Sequence, residues 1–173
     1  GCNYSDLLRH DLIPDPFYRT NEEAVQWIER EDWSYRTEFH CSEADILLPG
    51  QMLEFAGLDT FAEVYLNGTP ILSADNMFRT WTVPIQGVLV AGINLLEIEF
   101  VSPLVQVSPQ AARTGFIYPA GNDHSAENLS VFCRKAPYHF GWDWGPRLVT
   151  SGIWRPVKLH FFGHTRVAHT ALS

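Results

Sequence analysis

The sequence predicts an all-β domain, an antiparallel sandwich or barrel. Three observations carry that. Several short segments alternate apolar and polar residues with period 2, the pattern of a strand with one buried face. Two of them flank Asn67-Gly68, a dipeptide suited to the positive-φ geometry of a two-residue hairpin turn. The chain has 173 residues, 46% of them hydrophobic, enough for one proper core and too few for two ordinary domains.

The first thirty residues read as helical or irregular. Asn3 or Ser5 is placed to cap a short turn through Asp6-Leu7-Leu8. Ile13-Pro14-Asp15-Pro16 then stops any helix, because each proline pushes the residue before it toward extended geometry. Thr20-Asn21-Glu22-Glu23 fits a capping box, with Thr20 as N-cap and Glu23 three residues on. A helix of about two turns is expected after it, through Ala24, Val25 and Ile28. From Trp33 the period changes. Trp33, Tyr35, Thr37 and Phe39 alternate with polar residues in a first strand. Residues 51–57 and 61–66 are the next two, and 69–72 returns from the Asn67-Gly68 turn. Residues 78–83 predict another strand, followed by Leu96, Ile98 and Phe100 in one and Val157, Leu159 and Phe161 in the last.

Residues 102–154 give no clear helix or strand. Prolines and glycines punctuate this stretch, yet Phe116, Tyr118, Phe132, Tyr138, Phe140, Trp142, Trp144 and Trp154 lie in it. That many aromatics argue against disorder, and a long irregular excursion inside a compact domain is usually functional when it is ordered.

Composition excludes several classes. A net charge of -8 argues against nucleic acid or an anionic membrane as the main partner, since both need a basic face. No apolar run approaches the roughly 18–20 residues that span a bilayer. The opening residues, Gly1 to Asp6, are polar and carry no signal-peptide core, and the compartment stays open. Cys2, Cys41 and Cys133 are odd in number and show no CxxC spacing, so no disulfide framework is expected, although one bridge stays open. His160, His164 and His169 read as surface histidines rather than metal ligands. Glu54, Glu63, Glu97 and Glu99 fall on the solvated strand faces. Asn67 reads as turn chemistry, with Asp59 at the other end of its strand. Asn3, Asn67 and Asn128 head N-glycosylation sequons, which arise by chance. No nucleophile elbow, phosphate loop or HExxH motif is present, and neither cofactor nor metal is expected.

The segment richest in chemistry runs from Arg134 to Arg147. Within it, Gly141-Trp142-Asp143-Trp144-Gly145 sets one carboxylate between two indoles. A pyranose has an apolar C–H face that lies on an indole, and hydroxyls that a carboxylate accepts from. The bland alternative is that Trp142 and Trp144 plug the core while Asp143 pairs with Arg134, Arg147 or Arg155, or with backbone N–H groups.

The chain also resembles the N-terminal sugar-binding domain of the β-mannosidases of glycoside hydrolase family 2. The resemblance rests on Asp6-Leu7-Leu8, Ile13-Pro14-Asp15-Pro16-Phe17-Tyr18, Asn21-Glu22-Glu23, Trp33-Ser34-Tyr35-Arg36, Phe55-Ala56-Gly57-Leu58-Asp59-Thr60, Val64-Tyr65-Leu66-Asn67-Gly68, Asn76-Met77-Phe78, Phe140-Gly141-Trp142-Asp143-Trp144-Gly145-Pro146-Arg147 and Gly152-Ile153-Trp154. They run in family order over residues 1 to 162, and Gly-Trp-Asp-Trp-Gly-Pro is the piece specific to the mannosidase branch.

The resemblance implies a galactose-binding-like jelly-roll sandwich with short N-terminal helices and a long irregular aromatic-rich loop region. It implies a domain over 1–162, with 163–173 starting a linker. It further implies a parent enzyme in which this domain packs on a (β/α)8 barrel. There the barrel holds both glutamates of a retaining cleavage that removes a terminal β-mannosyl residue. Asp143 would accept hydrogen bonds from mannose hydroxyls, Trp142 would wall the −1 subsite, and Trp144 would buttress the loop. Arg134 and Arg147 would be orienting or interface residues. Family domains begin some thirty residues earlier with an opening strand. Its absence here predicts an open sheet edge that invites association, and the chain alone is expected to be inactive. An autonomous carbohydrate-binding module and a structural sandwich for domain contacts remain as alternatives.

Overall fold

A computed structural model describes residues 1–165. In chain order it has α1 (Asn3–Arg9), α2 (Asn21–Ala24), a 3-10 turn (Gln26–Arg30), β1 (Trp33–Cys41), α3 (Glu43–Ile46), β2 (Gly50–Phe55), β3 (Leu58–Asp59), β4 (Phe61–Leu66), β5 (Thr69–Ala74), β6 (Trp81–Pro84), β7 (Gly92–Val101), α4 (Pro103–Thr114), β8 (Gly152–Ile153) and β9 (Val157–Phe162). Two further 3-10 turns, Leu129–Phe132 and Pro137–Phe140, lie between α4 and β8.

The strands form an antiparallel sandwich, as the alternation predicts. One sheet has the order β1-β7-β4-β5 and the other β6-β2-β9, with β3 and β8 as a short extra pair. β1 runs beside β7 from Trp33 opposite Phe100 to Cys41 opposite Gly92. Val64, Leu66, Ile98 and Phe100 from the first sheet meet Leu53 and Phe55 from the second in one buried cluster. A one-residue slip in any of these strands would turn its apolar set outward, so the pattern fixes the register. The β4–β5 hairpin turns at Asn67 (φ 51) and Gly68 (φ 75). The Asn67 side chain also reaches β7, where Oδ1 accepts from Leu95 N at 2.9 Å.

Local expectations fare unevenly. Neither Asn3 nor Ser5 caps α1; Cys2 stands at the N-cap, and Ser5 Oγ accepts from Cys2 N at 3.1 Å. Thr20 occupies the N-cap of α2, but its side chain makes no capping hydrogen bond. The two-turn helix is one α turn that tightens into 3-10 geometry. The strand expected over 78–83 begins only at Trp81.

The larger correction is α4, twelve residues inside the stretch that gave no readable element. Its signals were present: Ser102 Oγ accepts from Val105 N at 3.3 Å, Pro103 holds the first turn, and Gly115 ends the helix at φ 62. Pro109 in mid-helix, which removes one backbone donor, masked them. Leu104 and Val107 of α4 pack on Leu129, Phe140 and Val149 in a second core outside the sandwich. Residues 163–165 follow β9 without regular structure; most of the expected linker, and His169, lie outside the described residues. No described helix is long and apolar enough to cross a membrane.

Candidate functional site

The Trp142-Asp143-Trp144 segment is the apex of a loop between Cys133 and Ser151 that dips into the α4 core through Phe140 and Val149. Its two ends are clamped. Lys135 Nζ donates to both carboxylate oxygens of Asp59, to Thr150 O at 2.8 Å and to Thr150 Oγ1 at 3.1 Å. Thr150 Oγ1 also donates to Asp59 Oδ2 at 2.7 Å. Asp59 ends β3, so the clamp ties the loop to the sandwich. Both charges are sealed from solvent: Lys135 is 3% exposed and Asp59 2%. Burial lowers the Lys135 ammonium pKa, and Asp59 opposes that shift. A buried lysine without its partner would be strongly destabilising.

His139 adjoins the clamp, with Nδ1 3.3 Å from Thr150 Oγ1 and 3.8 Å from Asp59 Oδ2. Burial first, then the Lys135 charge, pushes its pKa down to about 4, against the pull of Asp59. The imidazole is therefore neutral at pH 7.

A second fastener sits on the returning limb. Arg147 Nη1 donates to Asp123 Oδ1 at 2.9 Å and to Phe140 O at 3.1 Å. Its Nη2 donates to Glu29 Oε1 at 3.2 Å. The Arg147 backbone N–H donates to Glu22 Oε1 at 2.6 Å. Burial raises the Glu29 pKa, with Arg147 opposing. Burial also pushes Asp123 upward, but hydrogen bonds from Ser130 and Ser125 outweigh it and leave that carboxyl below its usual range.

Between the fasteners the chain turns at Gly141, whose φ of 118 disfavours any side chain. A Cβ there would also stand 2.5 Å from the His124 ring. Gly145 N donates to Trp142 O at 3.3 Å, closing a four-residue turn that sets Asp143 and Trp144 at its tip. Trp142 is 42% exposed and Trp144 85%, and Asp143 is exposed as well.

That geometry overturns the bland alternative. Phe140 plugs the core, fully buried, and the two tryptophans do not. Among the described residues, Asp143 forms no ion pair with Arg134, Arg147 or Arg155. Trp142 stands between two depressions. On one side a recess of about 350 Å³ is lined by Gly121, Asn122, Trp142 and Asp143. On the other an apolar cleft of about 500 Å³ is lined by Phe17, Tyr138, His139, Trp142, Trp144 and Leu148, among others. The structure thus joins Asp143 to Trp142, and Trp142 to Trp144, while Asp143 and Trp144 line different depressions.

One expectation changes and two others are given a place. Trp144 is too exposed to buttress the loop; Lys135 and Arg147 do that. Arg147 is 7% exposed and anchors the loop from inside, which is the orienting half of the two roles expected of it. Arg134 is exposed but stands apart, lining a separate depression with Asp75, Gln106 and Gln110. Sequence reasoning missed Lys135, Asp123, Glu29 and Asn122, and gave Asp59 only a place at the end of a strand. Asp59 follows Gly57-Leu58 at the end of an apolar strand, a signal of burial with a partner, but Lys135 stands beside Arg134 and lies 76 residues away.

Among the described residues no group of three or more His, Cys, Asp or Glu side chains is placed to hold a metal ion. His160 Nε2 instead lies 3.3 Å from Glu54 Oε2. The three cysteines are free. Sequon residues Asn3 and Asn67 are engaged: Asn3 is 1% exposed, and Asn67 Nδ2 donates to Val88 O at 2.9 Å.

The sequence and the fold both have relatives among known proteins. Residues 1–155 match the family model described as glycosyl hydrolase 2 galactose-binding domain-like. A β-mannosidase B of Thermothelomyces thermophilus is 43% identical over 157 residues, covering 91% of this chain and 18% of that protein. A β-mannosidase of Bos taurus is 34% identical over 166 residues, covering 94% and 19%. A crystal structure of a β-D-mannosidase from Dictyoglomus thermophilum superposes with a TM-score of 0.90 at 44% identity, over 97% of this chain and 20% of that one. The chain thus spans about a fifth of the length of the relatives it matches. An exo-chitosanase of Amycolatopsis orientalis, at 21% identity and a TM-score of 0.65, shares the fold.

Proposed function

Because the chain belongs to the glycosyl hydrolase 2 galactose-binding-domain-like family, we propose that it is the sugar-binding domain of a retaining exo-β-mannosidase, lending one wall of the −1 mannose subsite. The observation that carries this reading is the exposed Asp143 carboxylate beside Trp142, both lining one recess on a loop fixed by two buried charge clusters. A carboxylate accepts hydroxyl protons, an indole covers an apolar sugar face, and prior fixing of both avoids an ordering cost on binding. The bond-breaking glutamates would come from a (β/α)8 barrel elsewhere in the protein. The terminal β-mannoside would lie between barrel and loop, and the apolar cleft beside Trp144 would face the same partner.

Asp143→Ala in the full-length protein is expected to lower kcat/KM on a β-mannoside by about 10²-fold or more, since a charged hydrogen bond at such a site is worth roughly 2–5 kcal/mol. The melting temperature should hardly move, because Asp143 is exposed. Unchanged turnover would refute the subsite role. Calorimetric titration of this chain alone with mannose separates the domain from an autonomous module. One wall of a subsite gives at best millimolar binding, about −4 kcal/mol, whereas micromolar binding would favour the module.

The β1 edge supports a further contact. β1 ends its sheet, and an apolar groove of about 530 Å³ separates it from β9, lined by Tyr35, Phe39, Leu53, Ile153 and Leu159, among others. An open edge beside an apolar groove pairs readily with another strand. The isolated chain is accordingly expected to self-associate at high concentration, and a strictly monomeric profile on size exclusion would count against that.

A further inference from the structure

Asn122 lines the same recess as Asp143, and its amide orientation is set by the protein. Nδ2 donates to Pro137 O at 2.6 Å and to Gly141 O at 3.4 Å. Those two carbonyls belong to the loop that carries Trp142, so both amide protons point into the loop. The other end of the amide, Oδ1, accepts no hydrogen bond among the described residues. It is also absent from the buried polar atoms that lack a partner, so it opens to solvent. The recess is therefore lined by two residues with free acceptor oxygens, Asp143 and Asn122, beside one indole, and among the described residues no Lys or Arg lines it.

We infer that Asn122 is a second substrate-binding residue of this recess, its Oδ1 receiving one hydroxyl proton of the sugar ring whose other hydroxyls bind Asp143. The inference rests on the recess being the sugar seat. A paired acceptor set selects a ligand rich in donors and without negative charge. A neutral hexosyl ring fits, and a uronate would set its carboxylate against that of Asp143 with no cation to balance it. The recess, about 350 Å³, has room for one such ring.

The test is a cycle of variant against substrate in the full-length protein. Asn122→Ala is assayed on an aryl β-mannoside and on its monodeoxy analogues. On the parent substrate kcat/KM is expected to fall roughly tenfold, the size of one net hydrogen bond. On the single analogue lacking the hydroxyl that Asn122 binds, the same variant should cost nothing. Loss of the loop tether alone would depress every analogue equally, and that outcome overturns the proposal. Each comparison uses one protein preparation, so partial unfolding cancels in the ratio. If Asn122→Ala does not accumulate, Asn122→Ser carries the same cycle. The Asp143→Ala variant separates the two levels: if it is active like the parent, the recess reading falls, whereas a large Asp143 effect with a uniform Asn122 effect removes only Asn122.

Discussion

Where the two sheets face each other, contact is made by Leu53, Phe55, Val64, Ile98 and Phe100. Beneath the 135–150 loop it is made in large part by Lys135, Asp59, Arg147, Asp123 and Glu29. Both regions exclude water, but they restrain the chain differently. Hydrocarbon packing rewards area and is non-directional, so it decides which face turns inward. A buried ion pair is directional, costs desolvation, and returns that cost only in good geometry. The sandwich needs to be filled. The loop buries Phe140 and Val149, but it also needs its apex at one place on the surface, with Trp142 and Asp143 outward, and hydrocarbon packing by itself does not fix that direction. Fasteners of opposite charge at both ends supply the position.

The contrast can be broken first at the clamp. Lys135→Met leaves the Asp59 carboxylate buried without its cation, and unfolding free energy should fall by about 3–5 kcal/mol. Adding Asp59→Leu should restore part of it, because a buried pair replaced on both sides by apolar groups can be near neutral. Denaturant midpoints read both values. If the double variant is no better than the single one, the pair is not the unit that holds the loop.

Acid supplies the next effect. His139 is held near pKa 4 in the fold and titrates near 6.5 when unfolded. Between those values the unfolded chain binds more protons, so stability is full above about pH 6.5 and declines as pH falls toward about 4. The loss approaches roughly 3 kcal/mol from this residue. His139→Gln, which cannot charge, should flatten that part of the stability profile. A slope unchanged by the variant would assign the acid sensitivity to other groups.

The sandwich should give the smallest response. Ile98→Val removes one methylene from the hydrocarbon core and is expected to cost about 0.5–1.5 kcal/mol, without changing the pH profile. A cost as large as that of Lys135→Met would erase the distinction between the two regions.

The sandwich was legible because its information is local. Alternation over 33–39, 61–66 and 96–100 names the inward face residue by residue, and Asn67-Gly68 closes the hairpin whatever lies around it. α4 was legible in principle through Ser102, Pro103 and Gly115, but Pro109 contradicts the helix locally and only packing on Leu129 and Phe140 overrides it. The site was half legible. Trp142-Asp143-Trp144 could be picked out as a candidate sugar surface from residue chemistry. The recess partner Asn122 could not, because nothing in Gly121-Asn122-Asp123 distinguishes it from an ordinary turn.

By itself, then, the amino-acid order determined the strand faces, the hairpin and the residue types at the loop apex, since propensity and period act over a few residues. Tertiary structure alone decided that Asp143 faces solvent while Arg147 does not, that Trp144 lines a cleft separate from the recess of Asp143, and that Lys135 meets Asp59. Each of those outcomes depends on groups far apart in the chain, and in a buried ion pair the balance between desolvation and Coulomb attraction has no value until both partners have a position.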